Sequence, residues 1–533
     1  MQFSARKTYI FKIFSTAAFH GHARIESSRS SPASTRWFIK VVSTLCIHYS
    51  QSLNFLKTDY FRKILNPFVA CGVVHHIDSM LNYPDLAFRF FCYSRLNLKL
   101  IHVESTSDLL LRSLCQKGLH DSAKVVYESM KIDGFWPNSS VLDLLVSSFA
   151  NAGEFRAAEE ILIAEAEFCI EKEKRVSSFV YNNFLSFLVN KNQINEAVAF
   201  FEGHILRLRS FDPDICSFNI VMRGLCCNCK VEKAFKLFDV MRNFDCYPDL
   251  VTYNTLINGL CRIGKVDRAE DLLREVELQS GFSPNVVTYT TLISGYCKLG
   301  KMDTAVNLVD EMINNRVRPN LFTFNVIIDG FGKKGELASA MNMHERMVSC
   351  GIHPDVITFT SLIYGYCCLG ELAQSMKLWG DMNEKKVPPN IFTFSILISA
   401  LCKANRLNEA RDLLNQLKRR EDIVPEPFVY NDVIDGYCKA GNVDEANVIV
   451  TEMEAKGCVH DKMTYTILIL GHCMKGRVFE GIELYKKMLS VGCVPDNITM
   501  RSLIACLRKA GMAQDANEIE LKAVNNVQSG LSS

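Results

Sequence analysis

The stretch Asp249-Leu-Val-Thr-Tyr-Asn-Thr-Leu-Ile257 decides the fold of this chain, because close variants of it recur along the sequence. The next copy reads Asn285-Val-Val-Thr-Tyr-Thr-Thr-Leu-Ile293, and Asn320-Leu-Phe-Thr-Phe-Asn325 follows it. If the residue after each Asp or Asn is position 1, copies with a spacing of 35 or 36 residues start at 215, 250, 286, 321, 356, 391, 427, 462 and 497. Weaker copies start near 104, 139 and 178. A period of this length indicates a repeat architecture rather than separate globular domains.

Each copy has the pattern of two helices, called helix A and helix B. In the 250 copy, helix A has an apolar face at i, i+3, i+4 and i+7, formed by Tyr253, Leu256, Ile257 and Leu260. We expect Thr252 to cap this helix and Gly264 to end it. Helix B carries Asp267 in its first turn and ends at Gly281 and Pro284. Its apolar face consists of Val266, Ala269, Leu272, Leu273 and Val276.

A hairpin of this kind has apolar faces toward its partner helix and toward the next hairpin, so it buries them only when hairpins stack. The sequence therefore predicts an all-α fold, a right-handed superhelical α-solenoid of about twelve 35-residue helix-turn-helix repeats. We assign residues 104–531 to the repeats and residues 59–103 to a degenerate N-terminal helical cap. The cap includes a half-repeat-like stretch, Pro84-Asp-Leu-Ala-Phe-Arg-Phe-Phe91.

Residues 1–58 differ in composition from the rest of the chain. They contain eight basic residues, a single acidic residue, Glu26, and frequent serine. This composition is typical of an organellar transit peptide, and the alternative is a disordered basic tail. Because Arg is interspersed with aromatic and apolar residues near the start, we expect the mitochondrion, with the chloroplast as the alternative destination.

The charge balance excludes nucleic-acid binding driven by bulk charge. The whole chain carries a formal +2 and the leader carries +7, so residues 59–533 carry −5. A non-specific nucleic-acid binder is normally strongly basic. Any contact with RNA must therefore come from locally placed groups. No run of 18 apolar residues is present, so we expect no membrane span.

The cysteines follow the repeat rather than a disulfide framework. Seven of the 21 recur about once per copy: Cys226, Cys261, Cys297, Cys367, Cys402, Cys438 and Cys473. We expect them to be small buried apolar groups in a reducing compartment. Cys226 and Cys229 have the spacing of a zinc-ligand pair but no second pair nearby, so we predict no metal site.

The phrase Val251-Thr-Tyr-Asn-Thr-Leu-Ile-Asn-Gly-Leu-Cys261 resembles the first helix of pentatricopeptide repeats. Lys439-Ala-Gly-Asn-Val-Asp-Glu-Ala446 and the Glu-Met pairs at 311–312 and 452–453 resemble the second. The resemblance extends from residue 104 to about residue 525. A tetratricopeptide array would instead have a period of 34 and a repeated Trp, whereas the three Trp here do not repeat. The uniform copies resemble the P-type subclass.

This resemblance implies sequence-specific binding of single-stranded RNA, one base per repeat, on transcripts of a plant organelle. It implies that the base is read by position 5 and by the last position of each copy. The position-5 residues are Asn182, Asn219, Asn254, Thr290, Asn325, Thr360, Ser395, Asn431 and Thr466. The last-position residues are Asp214, Asp249, Asn285, Asn320, Asp355, Asn390, Asp461 and Asp496. The alternatives are that position 5 helps to start helix A and that the last position serves turn chemistry.

Two further positions complete the implied RNA site. Position 2 would pack on base faces, or alternatively between repeats, and holds Val251, Val287, Phe322, Ile357, Phe392, Phe428 and Met463, with Phe179 and Ile498 in the outer copies. Position 13 would follow the phosphate backbone, or alternatively stabilise the helix C-terminus, and holds Arg262, Lys298, Lys333, Lys403 and Lys439, with Lys509 in the last copy.

The family code pairs Asn with Asp for U, Asn with Asn for a pyrimidine, Thr with Asn for A and Thr with Asp for G. Applied from Asn182 to Asp496, it predicts the target 5′-U-U-Y-A-U-A-N-U-G-3′. The base for Ser395 with Glu426 stays open, because Glu lies outside the code. The copies with Asp108 and Asp143 at position 5 are too irregular to assign.

No enzymatic motif accompanies the repeats, and we predict a protein that is not an enzyme and has no cofactor. The chain has no Walker loop and no Ser-His-Asp context, and its C-terminal region lacks the His-x-Glu and Cys-x-x-Cys zinc ligands of the deaminating relatives. His472 and Cys473 are an isolated pair. We expect a monomer that acts with RNA and with other RNA-processing proteins in stabilisation, processing, splicing or translation. The alternative is a helical-repeat scaffold for protein–protein interaction.

Overall fold

The computed structural model describes residues 33–171, 176–207, 211–280 and 283–520, and every regular element within those ranges is helical. The chain divides into two compact units, unit 1 (Met1–Gly224) and unit 2 (Leu225–Ser533). Helical hairpins fill both units, and their first helices recur with the period of the sequence. The predicted fold class, an all-α array of about twelve helical hairpins, is therefore confirmed.

Unit 1 begins with helices that precede the repeats, Ala33–His48, Asp59–Ile64, Pro67–His75 and Pro84–Leu98, with a 3-10 turn at Asn54–Lys57 and a π turn at His76–Met80. The first of these helices is packed rather than free, because Phe38, Val42 and Cys46 are buried. A Cβ on Gly72 would lie 2.5 Å from Cδ1 of Ile39, so the Ile39 side chain packs directly against the helix backbone at Gly72. Part of the segment 1–58, to which the composition assigns a transit peptide, is thus helical, while residues 1–32 lie outside the described residues.

Three complete hairpins follow in unit 1. Their first helices are Glu104–Gln116, Ser139–Ala152 and Ser178–Asn190. Their second helices are His120–Ile132, Phe155–Glu171 and Ile194–Phe200, the last continued by a π turn at Phe201–Arg207. A further first helix, Ile215–Cys227, contains the boundary between the units. The 17-residue helix Phe155–Glu171 is longer than the 13-residue second helix of the copy before it, which accounts for part of the irregular spacing here.

Unit 2 contains the regular copies. Its first helices are Leu250–Arg262, Val286–Lys298, Leu321–Lys334, Val356–Cys368, Ile391–Lys403, Pro427–Lys439, Lys462–Met474 and Asn497–Lys509. Its second helices are Val231–Met241, Val266–Ser280, Met302–Asn314, Leu337–Ser349, Leu372–Glu384, Leu407–Lys418, Val443–Ala455 and Val478–Ser490, and residues 513–520 are helical as well. A 3-10 turn, Arg242–Phe244, extends the first of these second helices.

The core of unit 2 follows the predicted apolar faces. Tyr253, Leu256, Ile257 and Leu260 of helix A are all buried, and so are Val266, Ala269 and Leu273 of helix B, with Leu272 half-buried. One cluster of buried side chains extends from Val231 to Leu468 and includes Ile257, Leu260, Val266, Ala269 and Leu273. Gly264 adopts the left-handed conformation, φ +77°, that ends helix A as expected. The side chain of Val276 and residue Gly281 lie outside the described residues.

The cap of helix A differs from the prediction. We expected Thr252, but the N-cap is Asp249, whose Oδ1 accepts from the Thr252 backbone N–H at 2.8 Å. Thr252 is the third helical residue, and its hydroxyl accepts from the Asp249 backbone N–H at 3.2 Å. The prediction was wrong because both residue types favour N-caps. The reciprocal bonds form a capping box in which Thr replaces the usual Glu.

A seam of small side chains allows neighbouring first helices to approach closely. Position 10 of a copy is usually Gly, and it packs against the Cys at position 12 of the copy before. A Cβ on Gly259 would lie 2.5 Å from Sγ of Cys226, and one on Gly471 would lie 2.5 Å from Sγ of Cys438. Burial raises the pKa of the Cys226 and Cys438 thiols to about 12. These cysteines are therefore packing groups and not reactive thiols.

Candidate nucleic-acid interface

The last residue of each regular copy is the N-cap of the next helix A. Asp249, Asn285, Asn320, Asp355, Asn390, Asp461 and Asp496 each accept from the backbone N–H of the residue at position 3 of the next copy, at 2.7–3.1 Å. Asp214 caps in the same way, onto Ser217, at 2.7 Å. These residues thus also serve the turn before helix A, as the alternative interpretation held. The cap hydrogen bond fixes the position of each side chain. One oxygen serves the cap, and the other terminal atom remains for a further partner.

Position 5 lies next to this cap. In the Asn–Asp copies that start at 178, 321 and 427 the two predicted side chains meet directly. Asn182 donates to Asp214 at 3.0 Å. Asn325 donates to Asp355 at 3.1 Å, and Asn431 donates to Asp461 at 3.1 Å. Each pair joins consecutive copies. The alternative role, in which position 5 helps to start its own helix, does not describe these bonds, since they reach the next copy.

A third residue, at position 3 of the next copy, links the two predicted positions. The hydroxyl of Thr358 donates to Oδ1 of Asn325 at 2.6 Å and is 3.0 Å from Oδ1 of Asp355. In a Thr copy the link is a chain, with Thr290 and Thr323 hydroxyls 2.8 Å apart and Thr323 donating to Asn320 at 2.9 Å. We call this arrangement the position 5–3–last cluster. Sequence reasoning missed its middle member.

The same cluster recurs in the other copies with Thr at position 3. The hydroxyl of Thr288 donates to Oδ1 of Asn254 at 2.7 Å and lies 3.1 Å from Oδ1 of Asn285. Thr360 and Thr466 lie 2.8 Å and 2.9 Å from the hydroxyls of Thr393 and Thr499. The signal for this residue was the Thr that recurs at position 3 in most copies of the repeated phrase. These Thr residues are fully buried, namely Thr252, Thr288, Thr323, Thr358, Thr393, Thr464 and Thr499.

The position-2 side chains lie at the surface, beside these clusters. Phe322 is 63% exposed, whereas Phe324 on the opposite side of the same helix turn is fully buried. Val251, Val287, Ile357, Phe392, Met463, Ile498 and Phe179 are also exposed. Phe428 is half-buried, and its ring lies nearly parallel to that of Phe392, with 6.2 Å between centroids. Packing between repeats therefore does not account for most of these residues.

The position-13 cations are exposed at the end of each helix A. Lys333 pairs with Asp329, and Lys439 pairs with Asp435, both at 2.6 Å. Arg262 donates to the carbonyl oxygen of Cys227 at 3.4 Å. Lys298, Lys403 and Lys509 are the other members of the predicted ladder.

A groove of about 300 Å³ in unit 2 brings all of the predicted classes together. Its lining includes Val287 and Phe322 at position 2, Thr290 at position 5 and Asn320 at the last position, together with the cations Arg262 and Lys298. An apolar face, a polar cluster and two positive charges are the groups that hold a nucleotide by its base, its base edge and its phosphate.

Comparison with known families decides what these repeats are. The model described as the PPR (pentatricopeptide repeat) repeat family matches residues 213–262, 248–295, 284–333, 319–368, 360–403, 425–474 and 461–509. A second model, PPR repeat, matches residues 105–135 and 392–421. The chain belongs to the pentatricopeptide repeat family.

Individual PPR proteins resemble the chain in part. An Arabidopsis thaliana pentatricopeptide repeat-containing protein, At2g06000, is 46% identical over 192 residues, which are 36% of this chain and 33% of that relative. The match thus spans about a third of the relative's length. The crystal structure of PPR10 from maize is 21% identical, with 95% of this chain and 80% of that chain covered and a TM-score of 0.41. The structure of PPR10 in complex with an 18-nt psaJ RNA element is 17% identical, with 91% of this chain and 89% of that chain covered and a TM-score of 0.40.

One PPR copy of unit 2 departs from the cluster. The 391 copy ends in Glu426, whose side chain makes no cap hydrogen bond, and position 3 of the next copy is the buried Val429. Ser395 therefore has neither the Thr hydroxyl nor the short capping side chain that neighbouring copies provide. The base that the sequence left open belongs to this copy.

Two negative observations hold for the described part of the chain. It contains no group of three or more His, Cys, Asp or Glu side chains arranged to hold a metal ion. It also contains no helix that is long and apolar enough to cross a membrane. His472 is buried, and Nε2 of its ring lies 3.4 Å from Oδ1 of Asn447.

Proposed function

We propose that this protein binds single-stranded RNA in a sequence-specific manner, one base per copy, along the first helices from the 178 copy to the 462 copy. The observation that carries the proposal is the groove between the 250, 286 and 321 copies. It places the position 5–3–last cluster of Thr290 and Asn320 beside exposed Phe322 and Val287, with Arg262 and Lys298 at its edge. PPR10, a member of the same family, has been crystallised with RNA.

The cap supplies a physical basis for the code. An N-cap Asp and an N-cap Asn both use Oδ1 for the backbone, so the free atom is an acceptor oxygen in Asp and a donor amide in Asn. U and G carry an N–H donor on the Watson–Crick edge, and A and C carry an acceptor nitrogen there. Asp355 is therefore suited to U or G, and Asn320 is suited to A or C. Position 5 then selects between the two bases of each class.

The expected ligand is 5′-U-U-Y-A-U-A-N-U-G-3′, and the test is fluorescence anisotropy with labelled 5′-UUCAUAAUG-3′ against a permuted nine-mer of the same composition. Because each matched base contributes about 1–3 kcal/mol, we expect at least a tenfold preference over the permuted RNA. Equal affinity for both RNAs would contradict base reading. Recovery of protein partners after nuclease treatment, without any RNA binding, would favour the scaffold function.

We further propose that the protein is a P-type member that acts on organellar transcripts in the mitochondrion. The support is the uniform copy length from the 215 copy onward and the basic, serine-rich composition of residues 1–58. Because Phe38, Val42 and Cys46 are buried in the helical cap, we place the targeting information within residues 1–32. Fusions of residues 1–32 and 1–58 to a fluorescent protein should both be imported into mitochondria. A cytosolic or plastid signal for the longer fusion would reject this destination.

A further inference from the structure

The position-13 cations of unit 2 differ in the residue that lies one helical turn before them. Position 9 is Asn258 in the 250 copy and Ser294 in the 286 copy, but it is Asp329 in the 321 copy and Asp435 in the 427 copy. Residues at i and i+4 face each other on a helix. Position 9 is therefore the nearest neighbour of the cation along the surface on which the RNA is proposed to lie.

In the two Asp copies the cation is already paired. Nζ of Lys333 is 2.6 Å from Oδ2 of Asp329, and Nζ of Lys439 is 2.6 Å from Oδ2 of Asp435. The lysines are 65% and 70% exposed and the aspartates 39% and 38%, so both pairs are solvated surface pairs. Such a pair is weak. Its importance lies in the local charge, which is zero instead of +1 at the place where a phosphate would contact the copy.

The groove of the 250 and 286 copies has the opposite character. Arg262 and Lys298 both line it, Asn258 and Ser294 are the position-9 residues beside them, and no carboxylate is among the lining residues. Lys298 forms no ion pair within the described ranges of the chain. Two adjacent copies thus present two uncompensated positive charges to successive phosphates.

The 391 copy is intermediate. Ser399 occupies position 9, but Lys403 lies near Asp432 of the next copy. Burial raises the pKa of the Asp432 carboxyl, and the Lys403 ammonium opposes that rise. The C-terminal part of the ladder is therefore more acidic in its surroundings than the part formed by Arg262 and Lys298.

We infer that the residue at position 9 decides whether the position-13 cation of its copy binds the RNA phosphate. Asp329 and Asp435 hold Lys333 and Lys439 in ion pairs and repel the phosphate, whereas Ser294 leaves Lys298 free to bind it. The protein then binds the phosphate backbone mainly at the 250 and 286 copies. This inference rests on the proposed RNA binding and adds a residue that sets where along the repeats the electrostatic contact is made.

The test exchanges the position-9 residues in the full chain. The dissociation constant for 5′-UUCAUAAUG-3′ is measured by anisotropy from 50 to 200 mM KCl, and the slope of its logarithm against log salt counts the phosphates neutralised. Each contact with a single strand contributes about 0.7 to this slope, or about 2.5-fold in affinity over that range. Ser294→Asp should lower the slope by about 0.7, and Asp329→Asn should raise it by the same amount.

Lysine variants give the matched control. Lys298→Ala should lower the slope as much as Ser294→Asp does, and Lys333→Ala should leave it nearly unchanged. In the Asp329→Asn background, Lys333→Ala should remove the added slope. The pair Asp435→Asn and Lys439→Ala repeats the test in the 427 copy, so a folding defect in one set leaves the other to decide.

The outcomes separate two failures. Wild-type protein that binds RNA with a slope lowered equally by Lys298→Ala and Lys333→Ala would overturn the role of position 9. A slope unaffected by Asp329→Asn would overturn it as well. Wild-type protein that binds none of the RNAs at 50 mM KCl would instead overturn the proposed function, and the inference with it.

Discussion

The hairpins of unit 1 and of unit 2 share a buried pattern and differ at the surface. Leu145 in the 139 copy and Leu256 in the 250 copy occupy the same position, and both are fully buried. Position 13, by contrast, is Gln116, Asn151 and Asn190 in the complete hairpins of unit 1 and a cation in most copies of unit 2. The buried apolar positions are thus the same in both units, whereas the residue type at the surface position 13 differs.

The polar residues at position 5 also differ between the first two copies and the copies of unit 2. Position 5 of the first two copies is Asp108 and Asp143, which accept hydrogen bonds from Asn138 and Asn183 at 2.7 Å and 2.8 Å. Position 2 of those copies is serine. These copies offer carboxylates where unit 2 offers neutral amides and hydroxyls, so we expect them to contribute to stability and not to RNA binding.

The shared core gives the largest effect. Leu145→Asp and Leu256→Asp should each lower the free energy of unfolding by about 3–5 kcal/mol, because each places a charge in a fully buried site. Val251→Asp, at a side chain that is 58% exposed, should change it by less than about 0.5 kcal/mol. Urea unfolding followed by circular dichroism measures all three. Equal destabilisation by Val251→Asp would place position 2 in the core and remove the proposed base-stacking surface.

Base choice should respond to the last position of the copies proposed to bind RNA, from the 178 copy to the 462 copy, and not to the last position of the first copy of unit 1. Asn320→Asp replaces a donor amide by an acceptor oxygen and keeps the cap, so we expect preference at the fourth base to move from A to G by about tenfold. Asn138→Asp makes the same change at the N-cap of the 139 copy in unit 1 and should leave the preference unchanged. The measurement is anisotropy with the two nine-mers that differ at this base. Equal weakening toward both RNAs by Asn320→Asp would mean that the last position only caps the helix.

The linking hydroxyl gives a smaller effect. Thr323→Val removes the group that joins Thr290 to Asn320 and one half of a capping box, so stability should fall by about 1 kcal/mol. The preference for A at the fourth base should fall severalfold, because Asn320 is less firmly held. Thr255→Val, which loses only a bond to the Val251 carbonyl of its own helix, is the control. Unchanged base preference in Thr323→Val would show that the position 3 hydroxyl serves the cap alone.

The sequence was sufficient for the fold, because each buried position is repeated many times and a local error in one copy does not alter the period. Helix caps were harder, since Asp249 and Thr252 are both good capping residues and only geometry distinguishes them. The role of Thr323 was missed for a similar reason. Its hydroxyl acts between two copies, and the contact joins residues 33 positions apart.

The family resemblance predicted the positions of the candidate site, whereas the ion pairs that set its local charge are seen only in the structure. Position 13 is lysine in both copies, Lys298 and Lys333. The ion pair with Asp329 is what distinguishes Lys333 from Lys298. The packing of residues 33–57 was also not predictable from composition. Residues 33–57 are as basic as a leader, yet they carry Phe38 and Val42 at helical spacing, and those side chains are buried.

The smallest effect compares two carboxylates whose pKa values move in opposite directions. The Thr499 backbone N–H and hydroxyl donate to Asp496 and hold the pKa of that carboxyl below its ordinary value. Burial raises the pKa of Asp108, and the neighbouring Glu104 adds to the rise. Asp496 therefore stabilises the folded state above the ordinary Asp pKa and loses that contribution as pH falls toward its lowered pKa. Asp108 makes the opposite contribution to stability. Its ionised form destabilises the folded state, since the folded chain binds a proton at this carboxyl more readily than the unfolded chain does.

These signs predict how substitution changes the urea midpoint with pH. Asp496→Asn keeps a good cap but loses the charge, so it should lower the midpoint at pH 7, and the difference from wild type should shrink as the pH falls below about 4. Asp108→Asn should raise the midpoint at pH 7, because no buried charge remains, and its advantage should shrink as the pH falls from the raised pKa of Asp108 toward the ordinary Asp value of about 4. Circular dichroism at pH 3, 4, 5 and 7 measures both. If both variants shift the midpoint in the same direction at pH 7, the acidic position 5 of unit 1 is as well accommodated as the caps of unit 2, and the electrostatic contrast between the units does not hold.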